Sequence, residues 1–218
     1  MSLKRSLTAL EARVLSVLVE KQHTVPDSYP LSLNALTLGC NQKTARDPVM
    51  NAGEAEVLQA IDGLKEQALV NEVSGSRVVR FEHNAQRGLG VPSQSVALLA
   101  LMMLRGPQTS AELRLNTERL HKFADISSVE GFLDELAARE PPFAVKLPRR
   151  PGERESRWAH LLCGEVAMPA AAAGLPADAA PSEFEALKAE QARMAGELAE
   201  LRALVQRMAR ELGISAED

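Results

Sequence analysis

Five times along this chain a short polar residue stands three positions ahead of Glu, at the head of an apolar pattern of helical period. The pairs are Thr8–Glu11, Asn51–Glu54, Thr109–Glu112, Ser127–Glu130 and Ser182–Glu185. In such a capping box the polar side chain accepts from a free backbone N–H, and the Glu carboxylate reaches back to the N–H of the cap. Five boxes predict a mainly α chain. Composition agrees: with five Phe, one Tyr and one Trp in 218 residues, Leu, Ala and Val must build the cores.

The first predicted helix runs from Thr8 to Gln22, with Leu10, Val14, Val17 and Leu18 as its apolar stripe, and Pro26 and Pro30 end it. A short helix follows from Ser32 to Cys40. A polar connection from Asn41 to Met50 leads to a third helix, Asn51 to Gln67, whose buried face is Val57, Ile61, Leu64 and Ala68. Residues 69–73 and 77–81 flank Ser74-Gly75-Ser76 and predict a β-hairpin. The same order then repeats, with helices at Pro92–Arg105, Thr109–Leu120 and Ser127–Arg139 and strands at Phe143–Leu147 and Arg157–Leu162. Ser32 and Thr109 are 77 positions apart, Asn51 and Ser127 are 76, and matched offsets argue for a duplicated module. Three helices and a hairpin make a winged helix. The expected fold is α+β, mainly α with small β-hairpins: one winged-helix domain over residues 1–88 and a second over 89–165.

Residues 166–181 are rich in Ala and Pro and predict a linker. From Ser182 to Leu212 apolar residues alternate at spacings of three and four. Phe184, Leu187, Gln191, Met194, Leu198, Leu201, Val205 and Met208 fall on the a and d positions of a heptad. This predicts a coiled-coil helix pairing two chains into a homodimer; the alternative is one amphipathic helix folded back on the winged helices. Glu183 with Lys188, and Glu197 with Arg202, would pair across a parallel dimer.

The chain carries 25 Lys and Arg against 29 Asp and Glu, a formal charge of −4, and all of the excess lies beyond residue 165. The two predicted domains are each balanced, without the positive excess of many nucleic-acid binders. No apolar run approaches a membrane span, and the start turns charged too early for a signal peptide. Cys40 and Cys163 make no CxxC pair, so a reduced, cytoplasmic protein is expected. His23, His83, His121 and His160 are scattered without metal-ligand spacing, and neither a phosphate loop nor a nucleophile elbow is present. Neither catalysis nor a cofactor is expected, and Cys40 reads as a small buried hydrophobe.

Two polar stretches stand out. In the connection, Asn41 and Gln42 can pair with base edges, and Lys43 and Arg46 with phosphates. Equally, Asn41 can cap the helix end and Arg46 can pair with a nearby carboxylate, or the stretch can meet a protein. The second hairpin gathers Lys146, Arg149, Arg150, Arg154 and Arg157 against Glu153 and Glu155, which suits a minor groove, a phosphate backbone or an acidic protein surface. The third helices argue the other way: Glu54, Glu56, Asp62 and Glu66 on one, and Glu130, Asp134 and Glu135 on the other, repel phosphates.

The run Tyr29-Pro30-Leu31-Ser32-Leu33-Asn34-Ala35-Leu36, then Cys40 to Thr44 and Arg46 to Val49, resembles the signature of the YceH-like bacterial family, long labelled as of uncharacterised function. The resemblance continues in Leu104 to Thr109, Glu112 to Arg114 and Trp158 to Leu162, covering residues 5–165. The family often carries Asn where this chain has Ala45, and Tyr is expected where it has Trp158. The resemblance implies two winged helices and no activity. The residues themselves point to a DNA-associated regulatory module binding double-stranded DNA, or to a protein–protein adaptor on the same scaffold.

Overall fold

A computed structural model describes residues 3–73, 78–149, 153, 155–166 and 193. The chain divides into two compact units, Met1–Pro169 and Ala170–Asp218. The turn at 74–77, Arg150 and Arg154, and the predicted linker lie outside the described residues, apart from Val166 in the linker. So does the predicted dimer seam of Phe184, Leu187, Gln191, Met194, Leu198, Leu201, Val205 and Met208.

The first unit is mainly α with small antiparallel strand pairs. Helix α1 (Ala9–Thr24) starts at the predicted box: Thr8 Oγ1 accepts from the Glu11 N–H at 3.2 Å, and Glu11 Oε2 accepts from the Thr8 N–H at 2.7 Å. Strand β1 (Leu31–Ser32) runs into helix α2 (Leu33–Cys40), capped by Ser32. Helix α3 (Glu54–Glu66) precedes strands β2 (Val70–Val73) and β3 (Arg80–His83). Then come helices α4 (Ala85–Leu89), α5 (Ser93–Arg105), α6 (Ser110–Asn116) and α7 (Ile126–Ala137), and strands β4 (Ala144–Lys146) and β5 (Trp158–His160). The predicted box at Thr109 is present too: Thr109 Oγ1 accepts from the Glu112 N–H, and the Thr109 N–H donates to Glu112 Oε2.

Two of the predicted caps move. Helix α3 begins after Gly53, whose N–H donates to Glu56 Oε2 at 2.7 Å, because Asn41 clamps both backbone groups of Ala52 and keeps that residue out of the helix. Helix α7 begins after Asp125, whose carboxylate takes the Ser128 N–H at 2.7 Å, leaving Glu130 to accept from Ser110 Oγ. Ala68 belongs to no helical face. It is exposed, at φ 57°, in the turn that ends α3. Helix α6 stops at Asn116, where the Thr117 hydroxyl donates back to Leu113 O. Strand β3 sits later than predicted, with Val73 opposite Arg80.

The sheet order β1-β3-β2 is antiparallel, with Leu31 opposite Phe81. In the second half β4 pairs with β5, and Gln108 makes a two-bond bridge to Trp158. Gln108 stands 77 positions after Leu31 and Trp158 stands 77 after Phe81, so the offset seen between caps recurs in strand pairing.

The two halves share one core. Helix α1 was expected to bury a stripe, yet all nine residues from Glu11 to Val19 are buried. In α5 all ten from Ser95 to Leu104 are buried. Helices buried around their whole circumference belong inside a molecule, and α1 and α5 lie against each other in the most extensive contact of any two elements. Among the described residues no helix is long and apolar enough to cross a membrane.

Candidate functional site

The connection between α2 and α3 is tied down through three of its polar side chains, Asn41, Gln42 and Arg46. Asn41 Nδ2 donates to Ala52 O and Asn41 Oδ1 accepts from the Ala52 N–H, both at 2.8 Å. Arg46 is 7% exposed. Its guanidinium forks onto Glu20, with N···O distances of 2.6 and 3.2 Å, and also donates to Gln42 Oε1, Ala45 O and Gly39 O. Those contacts occupy its five N–H groups. Asp47 then donates its N–H to Leu104 O at 2.7 Å, so the connection reaches across to the end of α5.

A residue the sequence reading passed over sits beneath it. Arg13 is buried in α1 and donates to Cys40 O at 3.1 Å and Pro48 O at 2.7 Å. With Arg46 on Gly39 O, two guanidinium groups satisfy the free carbonyls at the end of α2. Burial lowers the pKa of Arg13, and its neighbour Arg46 lowers it further. The one available signal was an arginine inside the apolar run Ala12 to Val19. Cys40 is buried as expected, and burial pushes its thiol up to about 12, far from nucleophilic use.

Of the connection's candidates, then, Asn41 and Arg46 spend their polar atoms inside the protein, Gln42 gives its Oε1 to Arg46, and Lys43 stands exposed. On the second hairpin Arg157 is also committed, donating to Glu112 Oε2 at 3.0 Å, Pro107 O at 3.3 Å and Glu153 Oε2 at 3.3 Å. It thereby ties the hairpin to the start of α6. Lys146 and Arg149 are exposed, with the Lys146 ammonium 5.5 Å from the centre of the Trp158 ring.

The outward face of α3 carries Glu54, Glu56, Asp62 and Glu66, all exposed, beside the exposed Leu58. Lys65 pairs with Glu72 at 2.7 Å and also lies 3.8 Å from Asp62, which it partly offsets. On α7, Asp134 and Glu135 are exposed. Arg139 beyond it turns inward, over the Phe143 ring and onto Leu89 O. Both third helices therefore present carboxylates outward.

The profile of a family described as "Protein of unknown function, DUF480" matches residues 7–153. A UPF0502 protein of Burkholderia thailandensis is 71% identical over 215 residues, covering 98% of this chain and 92% of that protein. One of Burkholderia pseudomallei strain 668 is 72% identical over 212 residues, covering 96% and 91%. One of Paraburkholderia xenovorans is 70% identical over 216 residues, covering 98% and 92%. The resemblance carried by Tyr29 to Val49 and these matches agree on a bacterial family of uncharacterised function, and the chain belongs to it: it is a member of the DUF480, or UPF0502, family.

Proposed function

We propose that this chain is a non-catalytic protein–protein adaptor. It is built from two winged-helix units, and the acidic outward face of α3 receives a basic surface of a partner protein. The order α1, β1, α2, α3, β2, β3, with β1 beside β3, supports the first winged helix. The bridge of Gln108 to Trp158 in the place of β1 and β3 supports the second. The observation that carries the reading is the outward face of α3. In a DNA-reading winged helix that helix meets phosphates and bases, whereas here it offers four exposed carboxylates. Asn41 and Arg46, the residues suited to nucleic acid, are spent internally. The heptad over 182–212 would pair two chains, giving the adaptor two such faces.

A second reading keeps double-stranded DNA as the partner, met through the second hairpin, where Lys146 and Arg149 are exposed and the sequence adds Arg150 and Arg154. A salt series with random duplex DNA separates the two. The adaptor predicts no binding at low salt. A steep log–log slope that flattens on replacing Arg149, Arg150 and Arg154 with Ala overturns it in favour of DNA. In cells, cross-linked complexes of the wild type should vanish when Glu54, Glu56, Asp62 and Glu66 become Lys. Complexes indifferent to that reversal place the adaptor surface elsewhere.

A further inference from the structure

Helix α1, the 41–53 connection, α5 and α6 together wall a groove of about 480 Å3, inside the usual range for small-molecule sites. Its charged lining is Lys21, Arg46, Arg105 and Arg119 against Glu20 and Glu118. Four cations face two carboxylates, so the groove holds two excess positive charges in a chain of formal charge −4. At its floor Arg46 and Glu20 cancel each other through their two-point contact. Lys21 stands 3.7 Å from the already neutralised Glu20, and Arg119 is exposed on the wall.

Arg105 is held from behind. It donates one N–H to Asn116 Oδ1 at 3.0 Å. Asn116 in turn donates to the buried Gln108 at 2.7 Å, and Gln108 donates to Leu101 O at 3.1 Å. A chain of this kind orients a guanidinium before any ligand arrives, so less entropy is lost on binding. No aromatic ring lines the groove, so it offers no face for stacking a base. At its edge Ala45 is held at φ 57°, a conformation L-residues resist and one found at ligand clamps.

We propose that this groove binds a compact metabolite carrying at least two oxyanion charges, held by the Arg105 fork, Arg119 and Lys21. Two sources share that chemistry, phosphoryl groups and carboxylates, because an arginine fork fits both. The ligand would touch both halves of the unit, so its binding should raise the melting temperature of the whole.

The test titrates pyrophosphate, inorganic phosphate and citrate separately into the full chain by calorimetry at low salt. At least one should saturate at one per chain with a Kd below about 1 mM. Preference for pyrophosphate identifies a phosphoryl ligand, and preference for citrate a carboxylate. Arg119→Gln, at an exposed position where folding is not at stake, should weaken binding about tenfold. Lys122→Gln, exposed and outside the groove, should leave it unchanged. The proposal is overturned if none of the three saturates by about 10 mM. It is equally overturned if the two variants weaken binding alike, which would mark general attraction to surface charge.

Discussion

Two alanines occupy backbone that L-residues avoid: Ala45 and Ala68, both at φ 57°. Ala68 sits where a helix-ending glycine normally does. The Leu69 N–H returns to Leu64 O and the Ala68 N–H to Lys65 O, both at 2.9 Å, which is the hydrogen-bond pair of a Schellman turn. Left-handed backbone costs an L-residue about 1–2 kcal/mol. Since Ala68 is exposed, Ala68→Gly should raise stability by about 1 kcal/mol, or ~2–4 °C in melting temperature. Ala45→Asn should stabilise for the same reason, because Asn tolerates this backbone better than Ala. Gly63 makes the opposite case. Within a helix, Gly→Ala ordinarily stabilises by about 1 kcal/mol. Here a Cβ would collide with the Glu11 carboxylate and approach Arg5 to 2.8 Å, where those two side chains form the ion pair that holds the start of α1. Gly63→Ala should therefore lower stability by about 1–3 kcal/mol. Thermal melts of all three variants decide the matter, and a stabilised Gly63→Ala would show that α3 can shift away from α1.

At the scale of elements, what could be read ahead was what is local. Thr8, Ser32 and Thr109 cap where they were expected to, because each cap is settled by the three residues after it. Asn51 does not, since its neighbour Ala52 is claimed by Asn41, a residue eleven positions from Ala52 that no local pattern connects to it. The stripe of α1 was visible as Val14, Val17 and Leu18. The burial of Arg13 beside it was not, because its cover is the end of α2 and the connection, 27 and 35 positions further along the chain at Cys40 and Pro48. The candidate site failed to resolve for the same reason. Arg46 could be seen as a phosphate contact or as half of an ion pair, and only the fold brings Glu20, 26 positions earlier, beneath it. The energetic consequence is testable. Arg46→Ala leaves Glu20 with only Lys21, 3.7 Å away, and the end of α2 with a free carbonyl, which should cost about 2–4 kcal/mol. Adding Glu20→Gln should restore part of that loss, because the stranded charge is removed. Chemical denaturation of the two single variants and the double gives the coupling. A coupling near zero would mean the fork onto Glu20 contributes little and the loss comes from the carbonyls alone.

Across the whole molecule, the shared core makes a claim about folding that a pair of separate winged helices would not make. Helix α1 packs against α2, α3 and α5 at once. One hydrophobic cluster runs from Leu7 to Leu162. The backbone joins the halves as well: the Leu7 N–H donates to Leu162 O and the Asp47 N–H to Leu104 O, both at 2.7 Å. Residues 1–90 alone would keep α1 but lose α5, the element that α1 touches most, although the residues of α1 from Glu11 to Val19 are all buried in the intact unit. Burying one Leu or Val side chain stabilises by roughly 1.5–3 kcal/mol, and a whole domain is stable by only about 5–15 kcal/mol. A fragment of 1–90 should therefore lack a cooperative melt and bind a hydrophobic dye. A fragment of 1–169 should melt in a single transition by both circular dichroism and Trp158 fluorescence, although that tryptophan sits in the second half. Two separated transitions in 1–169, or a cooperative melt of 1–90 near the same temperature, would show the halves to be independent. In that case the α3 face and the second hairpin would not be held at a fixed spacing. A partner spanning both would then bind no more tightly than the better of its two contacts allows, plus the small gain from tethering.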